Sequence, residues 1–331
     1  MTRTSMLVVP MVMALYYPGC TPKVMSTLPA GNAPIAELWQ QPIDISKQDL
    51  YYGPWGGDRA PDPNATYTFL DRKHEGTNPG ITVKDAVERE WHVKQPPHNE
   101  QGAEGPIEVA LSRVLSAVGY HQPPVYFVPS VTVAYGRGVH TEPGGRFRLT
   151  DKSIKHVGEW SWQENPFVGT RPYQGLLVIL MMFNSSDLKN ENNAIYELRD
   201  GDAPSQWYVV RDLGTALGET GKLAPQRGDP DIFEREPFIT GLKDGFVQFH
   251  YGGWHKELLA RITPEDVRWA CALVGQLTDR QWADAFRAGG YPPAVADRFI
   301  ARLHQKIAEG QQLEVTVSAS RRAPLPVFVR P

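Results

Sequence analysis

Between Arg171 and Phe183 the chain reads RPYQGLLVILMMF, and a helix drawn through it is apolar on almost every side. Such a helix has to lie inside the protein, so the rest of the chain must wrap around it. It is followed at once by NSSDLKNEN, Asn184 to Asn192, and then by the strand-like NAIYELR. Two readings fit an apolar helix that runs into acids and amides. One is a polar turn between a buried helix and a hairpin. The other is a loop in which several reactive side chains converge.

The bulk composition permits either. The chain has 331 residues, 41% of them hydrophobic and 21% charged, as in an ordinary globular protein. A formal net charge of -3 with scattered Lys and Arg gives no electrostatic case for nucleic acid. Two cysteines, Cys20 and Cys271, do not make a disulfide framework. Cys271 sits in the helical pattern VRWACALVG and reads as a buried structural thiol. The N-terminus has the layout of a bacterial secretion signal: Arg3, an apolar run from Met6 to Tyr17, then Gly19-Cys20. It is similar to a lipoprotein signal as well as to a simple one. The expectation is export to the periplasm or cell envelope. If Cys20 is lipidated, it would anchor the chain to a membrane.

Along the chain, residues 21–64 are rich in Pro, Gly and Gln and read as a tether and strapping segment, with Tyr51, Tyr52 and Trp55 packing on the domain. TYTFLD, GITVKD and REWHVKQ alternate with period two and predict a three-stranded antiparallel meander. EGPIEVALSRVLSAVG predicts a helix with Pro106 near its start and Gly119 as its stop. PVYFVPSVTVAYG and RFRLT predict further strands. Beyond the buried helix come two strands, NAIYELR and QWYVVRDLG, and a long Gly-rich loop. Helices are then expected near Gly253–Arg261, Pro264–Leu277, Asp279–Ala288 and Pro293–Ile307, with a loose tail from Glu314. Asp229 and Asp231 read as a solvated turn, and His250 and His255 as loop packing rather than metal ligands.

Three pieces carry chemistry. In the loop, Asp187, Lys189 and Asn192 have the spacing that lets one Asp accept a hydroxyl proton, a Lys reach a transferring phosphate and an Asn turn back to a divalent metal. One hairpin later, Asp212-Leu213-Gly214 ends a predicted strand, where a carboxylate can chelate the metal bridging phosphates and the Gly lets the chain turn sharply. Lys94, on the face of its strand opposite Trp91 and Val93, points to where a cleft would be. Glu108 stands at the start of the following helix.

In this order the pieces resemble the protein-kinase-like superfamily. DLKNEN is similar to the kinase catalytic loop D-L-K-P-E-N, and DLG to D-F-G. The N-x-x-D opening, Asn184 to Asp187, is closer to atypical bacterial members such as the HipA-like kinases. The resemblance spans about residues 65–310 and implies an α+β, two-lobed kinase-like fold. Residues 65–150 would be a β-rich N-lobe with one helix, and 151–313 a reduced, mainly helical C-lobe. It implies ATP and magnesium as cofactors, Asp187 as catalytic base, Lys189 as phosphate partner, Asn192 and Asp212 as metal ligands, and a Lys94–Glu108 ion pair on the nucleotide. No G-x-G-x-x-G precedes Lys94; EGTNPG, with Gly76 and Gly80, stands in its place. Ser185-Ser186 replace His-Arg before the Asp, and no A-P-E follows D-L-G.

The expected function is therefore phosphoryl transfer from a nucleotide to a hydroxyl-bearing acceptor. The alternative is an exported pseudokinase-like binding protein without catalysis. The loop Gly218–Phe246 is expected to shape access for the acceptor.

Overall fold

Period-two alternation builds the first half of the protein. A short strand, β1 (Ile35–Glu37), opens the chain in the computed structural model, which describes residues 34–73, 78–97, 103–198, 204–223 and 225–314. These all belong to one unit beginning at Pro34. The signal-like segment with Cys20, Gly76, and the tail beyond Glu314 lie outside the described residues. Strands β2 (Thr66–Arg72), β3 (Gly80–Lys84) and β4 (Glu90–Lys94) form the expected antiparallel meander. Helix α1 (Glu104–Ala117) follows, starting two residues ahead of Pro106 and ended by Gly119 at φ +100. Strand β5 (Val125–Tyr135) pairs with β6 (Gly138–Leu149), of which the predicted RFRLT is only the last part.

These strands close into a barrel in the order β2-β3-β4-β6-β5, sealed by a parallel β2–β5 pairing. Inward residues of each strand, among them Ile81, Val83, Trp91, Val93, Phe147 and Leu149, make one buried cluster. The alternate residues point outward, toward α1 and the cleft described below. Gly145 lies against the Lys94 carbonyl where a Cβ would collide with it, so β6 and β4 approach closely there.

The second half is built on α2 (Arg171–Met182), capped by the Thr170 side chain. Leu177 to Leu180 have no exposed surface, as an all-apolar helix requires. β7 (Ile154–Gly158), β8 (Asn193–Leu198) and β9 (Ser205–Val210) form a sheet in the order β1-β9-β8-β7, with β1 parallel to β9. α3 (Pro230–Arg235) stands where a solvated turn was expected: Asp229 accepts from the Ile232 N–H at 3.1 Å, and Pro230 is the first helical residue. The Gly-rich loop contains a hairpin, β10 (Ile239–Lys243) and β11 (Phe246–Phe249), turned by Asp244 and Gly245 at positive φ. The helix expected near Gly253–Arg261 is only a short 3-10 turn, Lys256–Leu259, because His255 enters it in a left-handed conformation. α4 (Pro264–Val274), α5 (Asp279–Ala288) and α6 (Pro293–Gln311) complete the helical layer around α2.

Residues 34–60 bind this layer from outside. The Gln281 amide on α5 donates to the carbonyls of Ile45 and Gln48, and Trp39 donates to Val118 at the end of α1. Arg113 of α1 lies over the Trp55 ring and donates to the Tyr51 carbonyl. Trp55 therefore packs on the domain as expected. Among the described residues no helix is long and apolar enough to cross a membrane.

Candidate active site

The end of α2 answers why an apolar helix gives way to amides. Phe183 is its C-cap and Asn184 takes a left-handed φ of 56°. The Asn184 N–H donates to Met181 O and the Ser185 N–H to Leu180 O, which together satisfy the last carbonyls of the helix. The Asn184 side chain is buried: its amide donates to Gly218 O at 2.7 Å and its Oδ1 accepts from Lys306 Nζ at 2.8 Å. Burial holds the Lys306 pKa well below the usual lysine value. The loop is therefore pinned before its reactive part begins.

That reactive part is short. Leu188 is buried, and the Asn192 amide reaches back to donate to the Asp187 carbonyl at 2.8 Å. This donation leaves the Asn192 Oδ1 as its remaining acceptor. Lys189 Nζ lies 2.9 Å from Asp187 Oδ1, yet that oxygen is buried with no aligned hydrogen-bond donor. Trp254 lies beneath both Lys189 and Lys222, with their ammonium groups 5.2 and 5.3 Å from its ring centre. His250 pairs with Glu236 and His255 with Glu257. Among the described residues no group of three or more His, Cys, Asp and Glu gathers as a metal cluster.

Strand register supplies the opposite wall. Gly80, Lys94 and Arg146 are cross-strand neighbours on the outer face, and Thr82, His92 and Arg148 form the next such row. Lys94 Nζ lies 2.8 Å from Glu104, 3.4 Å from Asp212 and 3.6 Å from Glu108. The expected Lys94–Glu108 pair is thus a shared one. Glu104, at the first position of α1, is the closer carboxylate, while Glu108 is held by Arg146 at 2.8 Å. Glu104 is also paired with Arg227. Burial works against the charge on Lys94, but the carboxylates of Glu108, Asp212 and Glu104 outweigh it and raise its pKa. Glu108 acts most strongly despite its distance because it is the most deeply buried and least screened.

Asp212 enters from the end of β9 with φ 51. Burial would raise its pKa, but Lys94, Arg146, Arg148 and Arg211 hold it below the ordinary carboxylate value. The sharp turn expected of Gly214 is made at Asp212 instead. Gly214 is needed for another reason: a Cβ there would press on Glu104, so its absence lets this segment pack against the first turn of α1.

Gly80, Lys94, Asp187, Lys189, Asn192 and Asp212 all line one cavity of about 930 Å³. Glu108 lies behind that wall, and Gly76 is outside the described residues. The sequence reading missed Glu104, Arg146, Arg148, Arg211 and Arg227. No local signal marks them, since register and helix placement bring them in. The donor set suits magnesium, which uses one or two carboxylates plus substrate phosphates. The Asp212 carboxylate, 42% exposed, and the amide oxygen of Asn192 are the donors that such an ion could use.

No family model matches the chain, and no curated protein matches it. Among solved structures, the chain is similar to a proinflammatory kinase of Helicobacter pylori, CtkA, with 12% identity and a TM-score of 0.42 over 74% of this chain and 94% of that one.

Proposed function

We propose that the protein is an atypical kinase with a two-lobed arrangement, transferring a phosphoryl group from ATP with magnesium to a hydroxyl acceptor. The observation that carries this reading is that Lys94, Asp187, Lys189, Asn192 and Asp212, from three distant stretches of chain, line a single cavity. Asp187, which lines the cavity and keeps part of its side chain exposed, accepts the acceptor hydroxyl's proton. Lys189 lies beside it to meet the transferring phosphate, and Lys94 is held charged by its carboxylates to meet the nucleotide phosphates. Asn192 and Asp212 would hold the metal, which when bound neutralises phosphate charge. The Met6–Tyr17 run and Cys20 support export, with lipidation at Cys20.

A second reading is a non-catalytic binding protein, favoured by the secretion-type N-terminus because ATP is scarce outside the cytoplasm. The test is transfer of labelled phosphate from ATP by the purified chain, to itself or to a panel of hydroxyl acceptors. Transfer should disappear in Asp187→Ala and in Asp212→Ala. Equal rates in the parent and both variants would refute the kinase reading.

A further inference from the structure

The chain carries a formal charge of -3, yet Lys and Arg side chains outnumber carboxylates about two to one around the cavity. Pairing accounts for part of that surplus. Glu104 is taken by Lys94 and Arg227, Glu108 by Arg146, and Asp187 by Lys189. Arg148 and Arg211 are among those that these pairs do not include. Among the described residues neither has a carboxylate within ion-pair distance, and the buried Nε of Arg211 has no hydrogen-bond partner. The two guanidiniums are neighbours, since both line the main cavity and also a small crevice beside Glu108, Ser112 and Gln122. His92 completes the group as the cross-strand partner of Arg148.

We propose that His92, Arg148 and Arg211 form a second anion subsite, which takes a phosphate group of the ligand other than the one being transferred. The distance between the two groups rests on the phosphotransfer reading above; the subsite itself does not. His92 and Lys94 lie two residues apart on one face of β4, so the two rows are separated by about 7 Å. The ligand in the cleft therefore carries a second phosphate about one strand repeat from the phosphate that Lys94 meets. Paired guanidinium forks match the several acceptor oxygens of a phosphate better than they match a flat, uncharged ring. With Arg146 taken by Glu108, Asp212 feels the charge of both Arg148 and Arg211, and it is already shared with Lys94. Burial, Arg148 and Arg146 lower the His92 pKa against the pull of Glu90, whose carboxylate lies 3.7 Å from its Nε2.

Inorganic phosphate is the probe, titrated calorimetrically into the full chain with and without saturating Mg·ADP. Arg148→Gln and Arg211→Gln should each weaken phosphate binding by about tenfold or more, with Arg148→Lys and Arg211→Lys in between. Where Mg·ADP itself gives a binding isotherm, phosphate that still binds in its presence assigns the subsite to the acceptor, and phosphate that it excludes assigns it to the nucleotide. Phosphate binding that survives both Gln variants, or that gives no heat in the parent chain, overturns the proposal. Lys94→Met is the control: if it alone abolishes phosphate binding, the anion sits on the first row and the proposal also fails. A parent chain that ignores Mg·ADP but binds phosphate through Arg148 and Arg211 would refute the phosphotransfer reading and leave the subsite standing.

Discussion

Lys94 touches three carboxylates, and removing it should cost the fold less than removing Glu108. In Lys94→Met the chain length of the side chain is kept and only the ammonium is lost. Glu104 retains Arg227 and accepts from the Asn78 amide at 2.5 Å, and Glu108 retains Arg146 at 2.8 Å. Asp212 is 42% exposed and can be solvated. No buried charge is stranded, and the lost attraction is offset by a desolvation no longer suffered, leaving a cost of about 1 kcal/mol. Glu108→Gln is different. It strips Arg146, whose side chain is 5% exposed, of its only ion-pair partner among the described residues. Breaking a buried pair in this way costs about 3–5 kcal/mol. At about 2 °C per kcal/mol for a domain of this size, calorimetry should find Tm lowered by about 2 °C in Lys94→Met and by about 6–10 °C in Glu108→Gln. Stabilisation by Mg·ATP should run the other way, lost in Lys94→Met and kept in Glu108→Gln. If Lys94→Met destabilises as much as Glu108→Gln, the sharing of partners described here is wrong.

Gly214→Ala should disturb the active site without removing any polar group, because the new methyl presses on the first turn of α1 and displaces Glu104. The expected cost is about 1–3 kcal/mol in urea unfolding, with nucleotide affinity reduced; an unchanged midpoint and affinity would refute it. Asp212 has a folded pKa below the unfolded value of 3.8, so its contribution to stability is present above that value and is lost as pH falls through the folded one. A Tm profile measured in acid should therefore fall less steeply in Asp212→Asn than in the parent, and identical acid limbs would contradict the reading. Burial pushes the Cys271 thiol up to about 12, so in a Cys20→Ser variant a thiol reagent should label the chain only after unfolding. Rapid labelling of the folded variant at pH 8 would disprove that.

What the sequence revealed depended on how local each signal was. The buried helix and the loop after it are legible because apolar periodicity and the Asp187–Asn192 spacing both act within a few residues. Lys94 and Asp212 could be nominated from strand alternation and from a family resemblance. Glu104 could not be chosen over Glu108, since the choice depends on how α1 sits against β4 and Gly214. Arg146 and Arg148 join the site only through the β4–β6 register, and Arg211 only through the strand end it follows. The parallel β2–β5 closure joins Thr66 to Thr132, a pairing no window of sequence can show. Other misses had local signals. Asp229-Pro230 is a helix-start pair, and Asp244-Gly245 between two apolar-alternating runs is a hairpin turn.

The parallel ladder between β1 and β9 has a practical outcome for anyone trimming the chain. β9 is flanked on one side by β8 and on the other by three residues, Ile35 to Glu37. Cutting at residue 64, where the β-rich half begins, would strip that cover and leave a row of unsatisfied main-chain groups open to strand addition by another molecule. The exposed rim would run from Ser205 to Trp207, so self-association would begin on the strand that leads to Asp212.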